Sequence, residues 1–188
     1  MNIMIVGVGG QGTLLASRLL GNAALSQGFD VKVSEVHGMS QRGGSVVTYV
    51  KYGHAILSPI IDKGEADIIL AFEQLEAARW LPYLKIGGKI IANSQQITPM
   101  PVITGAMAYP LGLFDALTSI GVSLQRVDAL ALAKQAGGAK AVNVVLLGCL
   151  AKQLPFKRRV WHDALQKTVK PQFLQMNTTA FDLGYAVQ

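Results

Sequence analysis

Thiols and surface charge are both scarce in this chain. One cysteine, Cys149, stands among 188 residues. A disulfide framework needs pairs of thiols and an iron–sulfur cluster about four, so the chain builds neither unaided. Charged residues make up 15% of the sequence, against about 25% in an average globular domain. Hydrophobic residues make up 51%, which excludes an intrinsically disordered chain. The shortage of charge points to a surface that is partly covered. Long apolar runs are missing too. The longest, Val142 to Ala151, is interrupted by Asn143 and falls short of the ~20 residues that span a membrane. The opening Met1-Asn2-Ile3-Met4-Ile5-Val6 has no basic leader region. A cytoplasmic protein with no membrane partner is expected.

Lys and Arg number 17 against 11 Asp and Glu, a net charge of +6. Several of the basic residues lie between Lys152 and Lys170, among them Lys157-Arg158-Arg159. No interleaved aromatics, finger spacing or helix-turn-helix pattern accompanies them, so no nucleic-acid partner is expected. A solvated helix face and docking to an acidic partner both remain open. His54 and His162 have no partner at metal-ligand spacing, so no metal site is assigned. Cys149 reads as a buried, inert thiol. Met100, Met107 and Tyr109-Pro110 read as packing.

Strands and helices alternate along the chain. Asn2 to Val6 is a short apolar run ending at glycine, which suits a buried strand. Thr13 to Gln27 has helical spacing and is closed by Gly28. Val31 to Val36 and Gly44 to Tyr52 alternate and are rich in valine, hence strands. Asp67 to Phe72 predicts a strand and Glu73 to Leu84 a helix. Gly87-Gly88 leads into a strand over Lys89 to Ala92. Gln95 to Pro110 is irregular. Leu111 to Ile120 reads as helix, Val122 to Val127 as strand and Ala129 to Ala136 as helix. Ala141 to Leu154 is a helix apolar nearly all round, to be buried by its own domain or by a partner. Arg158 to Lys170 and Pro171 to Ala186 complete a helical end. The pattern predicts an α/β fold, a three-layer α/β/α arrangement with a mostly parallel, mixed sheet. The mixture follows from the strand at Gly44, which comes too soon after its predecessor for a helical crossover. The whole chain, 1–188, reads as one domain, with the helical segment from about 141 to 188 packing on it.

Two loops carry the chemistry. Gly7-Val8-Gly9-Gly10-Gln11-Gly12 places G-x-G-x-x-G between a strand and a helix, a Rossmann-like first turn. Glycines permit the tight turn, and the helix start at Thr13 offers free N–H groups and a positive dipole to an anion. A dinucleotide fold also wants an acidic residue ending the second strand, and Glu35 is the candidate. Close helix–strand packing, anion contact and nucleotide binding all stay open. The second loop, Ser34 to Ser45, is the densest in functional groups. His37 can move a proton near neutral pH, and Arg42 can clamp a carboxylate or phosphate. Both are candidates for catalytic roles. Gly9, Gly10, Gln11, Gly12, Thr13, Ser40, Gln41, Gly43 and Gly44 are candidates for anion or ligand contact. If the first two strands are adjacent and parallel, both loops emerge at one sheet edge. A glycine-rich turn whose His37 and Arg42 satisfy backbone carbonyls is the alternative.

The paired motifs Gly7-Val8-Gly9-Gly10-Gln11-Gly12 and Ser34-Glu35-Val36-His37-Gly38-Met39-Ser40-Gln41-Arg42-Gly43-Gly44-Ser45 resemble the gamma-type domain of the 2-oxoacid:ferredoxin oxidoreductase family. The likeness runs over essentially the whole chain and includes Asn143, Leu147, Gly148 and the segment Asn177 to Gly184. Within the family it leans toward small subunits that serve an arylpyruvate such as indolepyruvate. The resemblance implies oxidative decarboxylation of a 2-oxoacid, with electrons passing to ferredoxin and the acyl group to coenzyme A. That chemistry needs thiamine diphosphate and iron–sulfur clusters. No G-D-G segment ending in paired Asn is present to bind the magnesium of thiamine diphosphate, so no cofactor is expected on this chain alone. The resemblance implies a large alpha subunit carrying thiamine diphosphate, Mg and the clusters, with ferredoxin reached through the complex. A stand-alone NAD(P)- or nucleotide-binding protein and a non-catalytic docking module are the rival readings.

Overall fold

The computed structural model describes residues 1–35 and 44–188. Six strands form one sheet: β1 (Asn2–Val8), β2 (Asp30–Glu35), β3 (Ser45–Gly53), β4 (Ala66–Ala71), β5 (Leu84–Asn93) and β6 (Ser123–Val127). Their order across the sheet is β2-β3-β1-β4-β5-β6. β1, β4, β5 and β6 run parallel, while β3 is antiparallel to both β1 and β2. The sheet is thus mixed and mostly parallel, as the short connection before β3 predicts.

The helices are α1 (Thr13–Ser26), α2 (Gln74–Arg79), α3 (Met100–Ile103), α4 (Leu113–Ser119), α5 (Ala129–Gln135), α6 (Val142–Ala151), α7 (Arg158–Thr168) and α8 (Pro171–Ala186). Two apolar clusters fix the layers. One joins Ile3, Ile5, Leu70 and Ile91 to residues of α1, α5, α6, α7 and α8. The other joins Met4, Val6, Ile69 and Ile90 to Ala77 of α2 and to Phe114 and Leu117 of α4. Successive residues of a strand point to opposite faces. β1 and β4 are therefore apolar at nearly every position because both faces are covered. β2 is only half-buried, as suits an edge strand.

Two points of the sequence reading are corrected. The first two strands are not neighbours, because β3 lies between them. They still run the same way, so their carboxyl ends reach the same edge. The helix expected over Glu73 to Leu84 ends at Arg79 and passes through a 3-10 turn at Leu81–Tyr83 into β5. Pro82 has no N–H to continue the helical ladder. For the apolar helix the first of the two alternatives holds: α6 is buried from Asn143 to Ala151 by its own chain, so it does not explain the missing surface charge.

α6 is the most enclosed element, and its approach to α8 depends on two glycines. A Cβ on Gly184 would overlap the carbonyl oxygen of Val145, and one on Gly148 would overlap the carbonyl oxygen of Phe181. The obstacles are helix backbone, which cannot rotate away. Gly184→Ala gains under ~1 kcal/mol of helix propensity and forces the helices apart, so it is expected to lower unfolding free energy by about 3 kcal/mol. Urea denaturation checks this.

Candidate functional site

The carboxyl ends of the four parallel strands converge on one edge, where open α/β sheets bind ligands. β1 delivers the glycine turn there, and α1 starts from it. Gly12 caps α1 with φ +83°, a conformation that costs a side chain energy. A Cβ there would also stand 2.6 Å from Asn143 Nδ2. Asn143 Nδ2 donates to the Gly12 carbonyl at 3.2 Å, and its Oδ1 accepts from the Val144 N–H at 2.9 Å. One side chain therefore links the start of α1 to the start of α6. Gly12 offers no side chain to cap α1, and no capping bond is made among the described residues, so the positive end of the helix dipole lies at this edge.

Gln11 holds the turn in shape. Its Oε1 accepts from the Val8 N–H at 2.7 Å, and its Nε2 donates to the Phe72 carbonyl at 3.0 Å. Asn93 donates to the same carbonyl at 3.2 Å and accepts from the Ala129 N–H. The amide of Gln11 is thus spent largely on joining the ends of β1 and β4. Beside the turn opens a cleft of about 510 Å³, with Gly10, Gly12, Gln95, Lys140 and Asn143 in its wall. Lys140 is exposed and supplies a cation next to the two helix starts. The arrangement suits an anionic ligand.

On the other side of the turn lies a cavity of about 250 Å³ between Val8, Ser45, Glu73, Glu76 and Met100. Glu73 and Glu76 are 1% and 3% exposed. Buried carboxylates persist only when hydrogen-bonded or paired, and both are. Glu73 Oε1 accepts from the Tyr109 hydroxyl at 2.6 Å and the Ile97 N–H at 3.2 Å, while Oε2 accepts from the Glu76 N–H at 3.0 Å. Glu76 accepts from the Ser45 hydroxyl, from Trp80 Nε1 at 3.3 Å and from Arg79 Nε at 2.9 Å. Burial, reinforced by the Glu73 carboxylate, pushes the Tyr109 hydroxyl well above its usual range. Tyr109 therefore acts as a donor throughout the physiological range.

The residues named from sequence divide as follows. Gly9, Gly10, Gln11, Gly12 and Thr13 form the strand–turn–helix junction, and the Gly9 N–H donates to the Gly44 carbonyl at 3.0 Å. The glycine turn and the far root of the second loop are thus in direct contact. His37, Ser40, Gln41, Arg42 and Gly43 lie outside the described residues. Glu35 ends β2 and accepts from the Ser17 hydroxyl at 3.1 Å. With β3 between β2 and β1, it does not occupy the position a dinucleotide ribose requires. Met100 and Met107, read as packing, are 67% and 65% exposed. Sequence reasoning missed Glu73, Glu76, Asn93 and Lys140. The signal available for Glu73 and Asn93 was position, since each is the first polar residue after an apolar run that forms a parallel strand.

The family described as pyruvate ferredoxin/flavodoxin oxidoreductase matches residues 2–187. The chain is 42% identical over 190 residues to indolepyruvate oxidoreductase subunit IorB of Thermococcus kodakarensis, covering 97% of this chain and 93% of that protein. The crystal structure of pyruvate oxidoreductase subunit PORC from Thermotoga maritima has the same fold, with a TM-score of 0.76, 20% identity and coverage of 98% and 94%. The 2-oxoglutarate:ferredoxin oxidoreductase of Magnetococcus marinus, solved with 2-oxoglutarate, coenzyme A and succinyl-CoA, matches with a TM-score of 0.76 at 19% identity. It covers all of this chain but 30% of its own.

The residues here do not fit an iron–sulfur cluster. Cys149 is buried in α6, its thiol directed at the Gly184 carbonyl at 3.2 Å. Burial pushes this thiol up to about 12 from an ordinary 9.0, so it is not a ready thiolate ligand. Among the described residues no group of three His, Cys, Asp or Glu converges to hold a metal. Cys149 is expected to resist maleimide at pH 8 in the folded chain and to react fully in denaturant. Because the fold keeps this thiol protonated while the unfolded chain ionises above about pH 9, stability contributed here falls as pH rises from 9 toward 12. Mass spectrometry of labelled protein reads the first effect, and urea titrations at pH 8 and 10 read the second.

Proposed function

The chain belongs to the pyruvate ferredoxin/flavodoxin oxidoreductase family, and on that premise we propose that it is the small subunit of an indolepyruvate:ferredoxin oxidoreductase. The observation that carries the reading is near full-length similarity to an indolepyruvate oxidoreductase subunit, covering 97% of one chain and 93% of the other. In this reaction the 2-oxoacid loses carbon dioxide, its acyl group passes to coenzyme A and its electron pair goes to ferredoxin. Thiamine diphosphate, Mg and clusters, which such chemistry uses, are assigned to a large alpha subunit: the chain has one cysteine, and among the described residues no group of three His, Cys, Asp or Glu is placed to hold a metal. The chain's own residues complete the architecture and line the approach of the anionic co-substrate.

The glycine turn, the start of α1 and Lys140 support contact with a phosphate-bearing ligand, and coenzyme A is the one this reaction supplies. Arg42 and Ser40, which stand in sequence between Glu35 and Gly44, are proposed as further anion contacts, together with Gln41, Gly43 and Gly44. His37 is proposed as a proton carrier there. The rival dinucleotide reading loses support from the position of Glu35.

Reconstitution tests the proposal. Alone, the chain is expected to have no indolepyruvate-dependent reduction of ferredoxin. With the large subunit, activity appears and requires coenzyme A. Lys140→Glu is expected to raise the KM for coenzyme A by roughly tenfold, about 1.4 kcal/mol, with the KM for indolepyruvate unchanged. Activity of the chain alone, or an assembled enzyme indifferent to Lys140→Glu, counts against the subunit role and the phosphate contact respectively.

A further inference from the structure

We infer that the loop from Ile97 to Leu111 is the surface on which this chain docks the large subunit of its enzyme. The inference rests on the subunit reading above. From Ile90 to Phe114 the sequence carries no charged residue. Part of that run is buried strand, but Met100, Ile103, Met107 and Leu111 are 67%, 63%, 65% and 86% exposed. Scattered exposed apolar residues are ordinary, whereas a concentration of them on an uncharged loop marks an interaction site.

The loop is held ready rather than loose. Its two ends meet on a single atom, Glu73 Oε1, which accepts from the Ile97 N–H and the Tyr109 hydroxyl. Inside it, the Met107 N–H donates to the Pro101 carbonyl at 3.0 Å. Pro99, Pro101 and Pro110 further restrict its freedom. A compact loop with tied ends is a recurrent functional element, and fixing its shape before binding lowers the entropic cost of association. Exposed methionines then adapt to an apolar counter-surface.

The occupant is a protein body. An uncharged, apolar loop has nothing to offer nucleic acid or anionic lipid headgroups. In the Magnetococcus marinus enzyme the equivalent fold is 30% of one longer chain, so what this chain lacks beside it is the remaining polypeptide of such an enzyme. The loop also borders the cavity that contains Ser45 and Val8. It is therefore continuous with the edge that carries the glycine turn. Leu57 and Ile86 are fully exposed as well but stand apart from this edge in sequence and serve as controls.

The test measures assembly with the co-expressed large subunit by sedimentation velocity and titration. The double substitution Met107→Lys with Leu111→Lys is expected to weaken assembly at least about tenfold, while Ile86→Lys leaves it unchanged. Both targets are exposed, so circular dichroism and the unfolding midpoint should match the parent. If the double variant misfolds, Met107→Gln alone is measured in its place and is expected to weaken assembly several-fold. Assembly within twofold of the parent overturns the docking surface while leaving the subunit role intact. A parent chain that never binds the large subunit overturns the subunit role itself. A self-dimer of the isolated chain that the double variant dissolves, with large-subunit binding unaffected, also overturns the inference.

Discussion

A buried carboxylate at the end of β4 organises the functional edge of this protein. Glu73 is removed from water, and charge in that setting is tolerated only with its hydrogen-bonding capacity filled. The three donors come from α2, from the chain leaving β5 and from Tyr109 ahead of α4. One side chain thereby starts a helix and closes a loop. Glu76, one turn further on, holds Ser45 at the root of β3. The two carboxylates set the positions of segments distant in sequence, and removing either leaves donors buried without acceptors.

The glycine turn depends on the same edge from the other side. Gln11 reaches the Phe72 carbonyl, the residue directly before Glu73. Asn143 ties the start of α1 to the start of α6. The cleft with Lys140 and the cavity with Glu73 take their walls from successive parts of the same glycine turn, Gly10 to Gly12 in the first and Val8 in the second. The edge presents a cleft lined by Lys140 and an adjoining loop with exposed apolar side chains, both held by the hydrogen bonds described above. The uncharged run from Ile90 to Phe114 contributes to the low share of charged residues, whereas α6 satisfies its apolar surface internally.

Much of this was legible in the sequence. The period-two run at β3, the short link before it and the apolar strands over Asp67 to Phe72 and Lys89 to Ala92 point to the mixed sheet. Pro171 to Ala186 was read to the residue. The glycine motif announced its strand–turn–helix context. The strand order was not legible, because the insertion of β3 between β1 and β2 depends on pairing over long range, and local pattern says nothing about it. The end of α2 was available in Pro82 and was overrun by the apolar spacing that continues past it. Met100 and Met107 look like core residues by type. Only the absence of charge from Ile90 to Phe114, considered together with Glu73, distinguishes a pinned surface loop from buried packing.

The most direct test of the central claim is hydrogen–deuterium exchange of this chain, free and assembled with its large subunit. If the edge organised by Glu73 faces the rest of the enzyme, exchange slows on assembly at Val102 to Met107 and at the glycine turn. The amides of β2 and α7 should keep their free rates. Slowed exchange at β2 or α7, with the Ile97 to Leu111 loop unchanged, would contradict the account.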